Sequence, residues 1–373
     1  MAMTDRERFL ATMRFGPVDR VPYHELGLWG HTVEMYIKAG MPESAATANF
    51  FEGNDHLGLD RRQFVPLDIG PLPPYQDEVL EQTERYEVYR DGWGTVHRAL
   101  KEDTVRGTRA SMDQYVKFAV ETPADYQALK ARFDPRAPAR YPQDWDRLKE
   151  RWRTRSCPLC LLANGTFGFY SMLRRWMGTE SACRAFYDYP DMVHEAVEFM
   201  ADFLIELTTP ALKQCDVDYF NFFEDFAGKG GPLISPRLFR EFLMPGYRRV
   251  IEHLRRHGVE IIWLDSDGNT EALIPLLLEV GVTCHWPCEV AAGMDPVRLR
   301  RRYGRALCLA GGIDKRALTR GRKEIEQELY HRLPPLLETG GYIPTIDHTV
   351  PPDIPYENFI YYLELKRSIC EGR

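Results

Sequence analysis

The chain has 373 residues, 44% hydrophobic and 28% charged, proportions that suit a large globular core. Its formal net charge of −7 argues against nucleic-acid binding, which needs a clustered basic excess. No apolar run approaches the roughly 18 residues of a membrane span, and Met1-Ala2-Met3-Thr4-Asp5-Arg6 holds no apolar signal core, so a cytoplasmic location without membrane contact is expected.

In chain order, Val21 to Leu26 reads as a first strand after an N-terminal extension. Residues 76–120 alternate in polarity around a hairpin-like Asp91-Gly92, which predicts a β-rich insertion with a β-hairpin near the site. Asp125 to Arg155 is a polar helical connector, and Leu159 to Ala163 is a strand followed by Asn164-Gly165-Thr166 and two helices.

From there one pattern repeats. Val217 to Phe223 is a buried strand ending in Glu224-Asp225; Ser235-Pro236 then caps a helix running to about His257. Glu260 to Leu264 ends in Asp265-Ser266-Asp267-Gly268, with a helix from about Thr270 to Val280. Val282 to Val290 carries Glu289, Ala306 to Ala310 leads to Asp314, and a long helix covers about Lys323 to Glu338. Tyr342 to Ile346 ends at Asp347-His348 before a last helix. Apolar runs alternating with helices imply a parallel sheet with right-handed crossovers. A doubly wound open sheet would usually show a glycine-rich phosphate turn, and none is present. The expected fold is therefore α/β, a (β/α)8 TIM barrel forming a single domain over residues 1–373.

Polar residues collect where strands hand over to loops: Asn164, Glu224, Asp225, Asp265, Asp267, Glu289, Asp314, Asp347 and His348. In a barrel those positions converge on the face that carries the site. Asp295 and Asp314 read first as helix caps. Asp265 and Asp267 share one side of their strand end, and like charges there raise one pKa. With His348 they form a candidate set for a divalent ion, Zn, Mn or Fe. Metal-free use, with one carboxyl group kept protonated as a general acid, is the equal alternative. Glu224 and Asn164 are expected to orient a substrate, with Glu289 beside them and Tyr23, Trp29, Phe169 and Trp286 as aromatic walls. His24 and His31 are expected within reach of the mouth. Of the eight cysteines, the pairs Cys157/Cys160 and Cys284/Cys288 lie in apolar, strand-like runs, where buried reduced thiols are expected over a zinc or redox pair.

Arg6-Glu7-Arg8-Phe9 with Asp19-Arg20-Val21-Pro22, Gly231-Pro232-Leu233-Ile234-Ser235-Pro236, Asp265-Ser266-Asp267-Gly268-Asn269, Ala292-Gly293-Met294-Asp295, Gly311-Gly312-Ile313-Asp314 and Pro351-Pro352-Asp353 together resemble the uroporphyrinogen decarboxylase superfamily. The resemblance implies the (β/α)8 barrel already read from the pattern. True uroporphyrinogen decarboxylases carry an arginine-bearing stretch after the first strand that grips the substrate's carboxylates. Here no arginine lies between Arg20 and Arg61. The other branch comprises corrinoid-linked methyltransferases, whose coenzyme-M-type members bind zinc through a His-x-Cys and a later Cys. Asp265, Asp267 and His348 stand at those positions, which replaces the soft ligand set.

The resemblance thus points to a methyltransferase moving a methyl group from a small O- or N-methylated compound to cobalamin. The chain lacks an Asp-x-His-x-x-Gly corrinoid signature, so the cobalamin would sit on a separate corrinoid protein. Asp265, Asp267, His348 and Glu224 would form its catalytic group. A decarboxylase of a smaller carboxylated substrate, and a non-catalytic small-molecule binding protein, are the alternatives.

Overall fold

The computed structural model describes residues 2–101, 104–105, 108–109, 113–163 and 165–372. Strand β1 (Gln63–Phe64) precedes an antiparallel group, β2 (Glu78–Gln82), β3 (Tyr86–Arg90), β4 (Val96–Leu100) and β5 (Gln114–Lys117), paired in the order β2-β3-β4-β5. The main sheet continues with β6 (Leu159–Cys160), β7 (Tyr219–Phe223), β8 (Ile261–Asp265), β9 (Cys284–Trp286), β10 (Cys308–Ala310) and β11 (Tyr342–Ile343). Together with β1 they form a seven-stranded parallel sheet in sequence order. That order is what successive strand–helix units produce when each crossover has the same hand.

The two faces of the sheet bury different layers. Successive strand residues point to opposite sides. Cys160, Tyr219, Trp263, Cys284, Trp286, Cys308, Ala310 and Ile343 meet in one inner cluster, closed from below by Phe9 and Met13 of the helix Asp5–Met13. Phe220, Phe222, Ile262 and Leu264 face outward, toward the helices Pro190–Gln214 and Met244–Arg256. Leu309 and Tyr342 likewise pack toward Arg322–Thr339 and Tyr356–Cys370. The architecture is an α/β, TIM-barrel-like one.

Where an eighth strand was expected, Val21 to Leu26 is extended but forms no ladder. It spans the gap between the sheet edges through single bonds. Asp60 N donates to Tyr23 O at 2.8 Å, and Val350 N donates to Gly27 O at 2.9 Å. Glu25, 1% exposed, accepts from Ile346 N at 3.1 Å and Tyr362 OH at 2.6 Å, and pairs with Lys366. One buried ion pair with further donors holds the gap that backbone pairing leaves.

Other boundaries shift for local reasons. The helix expected from Ser235 begins as predicted, with Ser235 Oγ accepting from Leu238 N, but passes through a π-turn at Phe239–Leu243. Pro245 has no N–H to return to the carbonyl of Glu241, so the ladder slips there. The strand expected over Val282 to Val290 ends at Trp286, and Cys288 sits at φ 56°, off any strand conformation. The helix after β8 is Ile274–Val280. All eight cysteines are unpaired, and burial pushes the thiols of Cys160 and Cys288 up to about 12. Among the described residues no helix is long and apolar enough to cross a membrane.

Candidate functional site

Strand parity sorts the strand-end residues. In β7, Tyr219 faces inward and Phe220 and Phe222 outward. Glu224 therefore continues the outward row, and Asp225 the inward one. Glu224 is fully buried beneath the helix Phe169–Met177: its carboxylate accepts from Ser171 N at 2.9 Å, Tyr170 N at 3.3 Å and the Tyr247 hydroxyl at 2.5 Å. It satisfies the unpaired N–H groups of that helix's first turn, and so acts as a clamp. Burial pushes its carboxyl up to about 7, with the hydrogen bonds opposing. The expected substrate-orienting role is corrected accordingly. Gly168 makes the clamp possible, since a Cβ there would stand 1.9 Å from Phe223 O and 2.6 Å from Glu224 Cδ.

Asp225 reaches the mouth. Its N–H donates to Ser171 Oγ at 2.8 Å, its carboxylate pairs with Arg174, and it feels both Asp267 and His348. Burial raises its pKa, as does the charge of Asp267, while Arg174 and His348 oppose that rise. Asp267 and His348 come together across the mouth, Oδ2 to Nε2 at 3.4 Å, both part-exposed. The bond to Asp267 raises the His348 imidazole above its ordinary 6.5, against burial and the charge of Lys315. The indole of Trp29 lies nearly parallel to His348, 6.4 Å away.

Asp265 lies on the inward face above Trp263, 8% exposed, and its carbonyl accepts from Glu224 N at 2.7 Å. Among the described residues no group of three His, Cys, Asp or Glu side chains is arranged to hold a metal ion. The expected triad of Asp265, Asp267 and His348 is thus not assembled as a metal centre; Asp267 and His348 form a pair. Asp347, fully buried, bridges backbone, accepting from Lys315 N at 3.1 Å and Val290 N at 2.9 Å. Glu289 also belongs to this rim: it accepts from Gly268 N at 3.0 Å and lies 3.9 Å from Lys315 Nζ. Asp295 and Asp314 cap helices through Arg298 N and Arg316 N.

Three expected wall residues lie elsewhere. Phe169 is fully buried against Phe167, Phe222 and Tyr247. Trp286 packs inside the sheet on Trp263, at 6.0 Å. Tyr23 lies under Arg20, which pairs with Asp60, and its hydroxyl donates to Glu371 Oε1 near the C-terminus. His24 is buried deep in the interior, and its pKa falls well below the ordinary value. Asn164 lies outside the described residues.

Beside the mouth a cleft of about 550 Å³ opens between the β2–β5 sheet and the helix Phe169–Met177. Trp93, His97, Tyr115 and Phe118 line one side, Arg174, Arg175 and Phe223 the other. Arg174 joins cleft to mouth through Asp225. Asp225 was among the strand-end residues expected at the site, whereas Arg174 and Arg175 are the ones that strand-end reasoning passed over. Strand parity marks Asp225, and the Arg-Arg step inside an otherwise apolar helix marks the other two.

Fold and site together define a TIM-barrel-like α/β protein with a paired carboxylate–imidazole at the carboxyl end of its strands. Residues 115–368, more than half of the chain, match the family described as Uroporphyrinogen decarboxylase (URO-D), and the chain belongs to that family. It is 27% identical over 213 residues to the uroporphyrinogen decarboxylase of Danio rerio, covering 55% of this chain and 52% of that protein. To that of Legionella pneumophila (strain Corby) it is 22% identical over 142 residues, 37% of this chain and 39% of that one. The chain thus spans about half or less of the length of these curated relatives.

Proposed function

We propose that this protein is an enzyme that transfers a methyl group from a small O- or N-methylated substrate to cobalamin carried by a separate corrinoid protein. The observation that carries the reading is the Asp267–His348 couple at the mouth, in which the bond to Asp267 favours the protonated form of the imidazole. When the methyl group leaves, the couple delivers that proton to the oxygen or nitrogen left behind; such acid assistance typically contributes about 10²–10⁴-fold. Cobalamin, reduced to its nucleophilic cob(I) form, would supply the methyl acceptor. The chain's own part is to orient the substrate, with Trp29 stacked beside His348, and to move the proton. Acid assistance draws its support from the Asp267–His348 pair itself, which among the described residues has no third His, Cys, Asp or Glu arranged with it to hold a metal ion.

The segment between Arg20 and Arg61 brings no guanidinium to the mouth: Arg20 is held by Asp60, and Arg62 lies buried on the ring of Phe51. A substrate bearing many carboxylates lacks partners there. A second reading, decarboxylation of a smaller carboxylated substrate, draws on the family and its named relatives, with the same couple protonating carbon after CO2 departs.

The test is methyl transfer from a panel of methoxyaromatics and methylamines to free or protein-bound cob(I)alamin, run beside uroporphyrinogen. Transfer from at least one member, with coproporphyrinogen formed far below about 1 per second, is the expected result. No transfer across the panel would overturn it in favour of decarboxylation.

A further inference from the structure

The cleft beside the mouth is built around one guanidinium, that of Arg175, which among the described residues has no carboxylate in direct contact, although Asp91 and Asp225 act on it from a distance. Arg174 is committed to Asp225. Arg175 follows it on the same helix and turns into the cleft, where its Cζ lies 4.6 Å over the ring of Trp93. Among the described residues Arg175 makes no hydrogen bond or ion pair with a carboxylate. Asp91, the nearest candidate on the facing sheet, is occupied by Trp93 N at 3.0 Å, Thr95 N at 2.9 Å and His97 Nε2 at 3.0 Å. Part of Arg175 faces the cleft, yet its head is enclosed enough that desolvation pulls its pKa below the ordinary arginine value.

An unpaired, desolvated cation is expensive to keep, and stacking on an indole returns only part of that cost. Stacking also leaves the N–H edge of the guanidinium pointing sideways, a fork that matches the two oxygens of a carboxylate. The remaining walls, Tyr115 and Phe118 with Trp93, are flat and apolar. Gly178, at φ 80°, lets Phe118 close in; a Cβ there would stand 2.4 Å from its ring. A volume of about 550 Å³ is in the range of small-molecule sites.

We infer that this cleft binds a small aromatic monocarboxylate, its carboxylate on Arg175 and its ring between Trp93 and Phe118. One guanidinium with no carboxylate in direct contact among the described residues fits one negative charge. The inference deepens the functional reading above by naming the substrate class, and rests on it for the cleft's being the substrate's seat. The reacting end of the ligand then lies toward Arg174 and Asp225, the side on which Asp267 and His348 stand.

Binding is measured calorimetrically on the full chain, without corrinoid protein, using benzoate and 3-methoxybenzoate, with benzamide as the neutral match. Wild type is expected to bind both carboxylates saturably and benzamide at least about tenfold more weakly. Arg175→Met should lower benzoate affinity by about 10–100-fold, the loss expected for hydrogen bonds to a charged group. Its melting temperature should not fall, since the variant removes an unpaired buried charge. Arg175→Lys, which keeps charge without the planar fork, should fall between the two.

No saturable benzoate binding, or equal binding of benzamide, overturns the inference. So does a lower melting temperature in Arg175→Met with benzoate affinity unchanged, which would make Arg175 a support for the sheet. Benzoate binding that depends on Arg175 in a protein that transfers no methyl group sustains the inference and fails the functional reading alone.

Discussion

Glu224→Gln separates a structural carboxylate from a catalytic one, and its effect has a sign that depends on pH. In the folded protein burial moves the Glu224 carboxyl from 4.5 to about 7. At about 1.4 kcal/mol per unit, ionising it in place costs on the order of 3 kcal/mol more than ionising it in the unfolded chain. The folded state therefore holds the proton more tightly. Its advantage is complete below pH 4.5 and is lost as pH rises through about 7. Glutamine mimics the protonated acid at two of its three contacts: its oxygen accepts from Ser171 N and its amide donates to the Tyr247 oxygen, while the 3.3 Å bond from Tyr170 N to Oε1 is lost. At pH 4.5 the variant should be no more stable than wild type, and by pH 8 the difference should have moved in the variant's favour by roughly 3 kcal/mol. Urea unfolding of both proteins at intervals from pH 4.5 to 8 measures the divergence. Parallel curves would refute the reasoning, because they would mean that Glu224 titrates alike in both states.

Asp267→Asn should lower turnover by about 10²–10⁴-fold, because the proton-holding partner of His348 is gone. Its melting temperature should change little, as Asp267 is part-exposed; equal turnover would return Asp267 to a loop role. The pH profile of kcat should fall on its alkaline side above the ordinary imidazole value of 6.5, where His348 loses its raised proton. In Asp267→Asn that limb should move to lower pH; Asp225 and Lys315, the other charges it feels, remain. Gly168→Ala should destabilise strongly, because its Cβ would collide with Phe223 O at 1.9 Å and displace the Glu224 clamp. Circular dichroism melting checks this, and an unchanged midpoint would contradict the close approach.

Much of the parallel architecture was legible in the chain. Each strand from Tyr219 onward is an apolar run punctuated by an acidic turn, and each following helix begins at a proline or cap such as Ser235-Pro236 or Asp295-Pro296. These are local signals, carried by periodicity and by backbone N–H groups that need acceptors. They also placed Asp267 and His348 at strand ends, and the fold brings those two within 3.4 Å.

What a strand-end side chain does there was decided by tertiary structure. Glu224 and Asp225 are neighbours of like charge, yet strand parity sends one beneath a helix and the other into the mouth. Phe169 and Trp286 are as aromatic as Trp29, but hydrophobic packing draws them into the interior, where they are almost wholly buried. Arg174 and Arg175 enter the site on a helix whose start is held by a carboxylate from another strand, opposite a sheet some 80 residues earlier in the chain. The sequence determines which groups are available and the period at which they face one way. Only long-range packing determines which charges find a partner within the protein and which, like Arg175, are left facing a cleft.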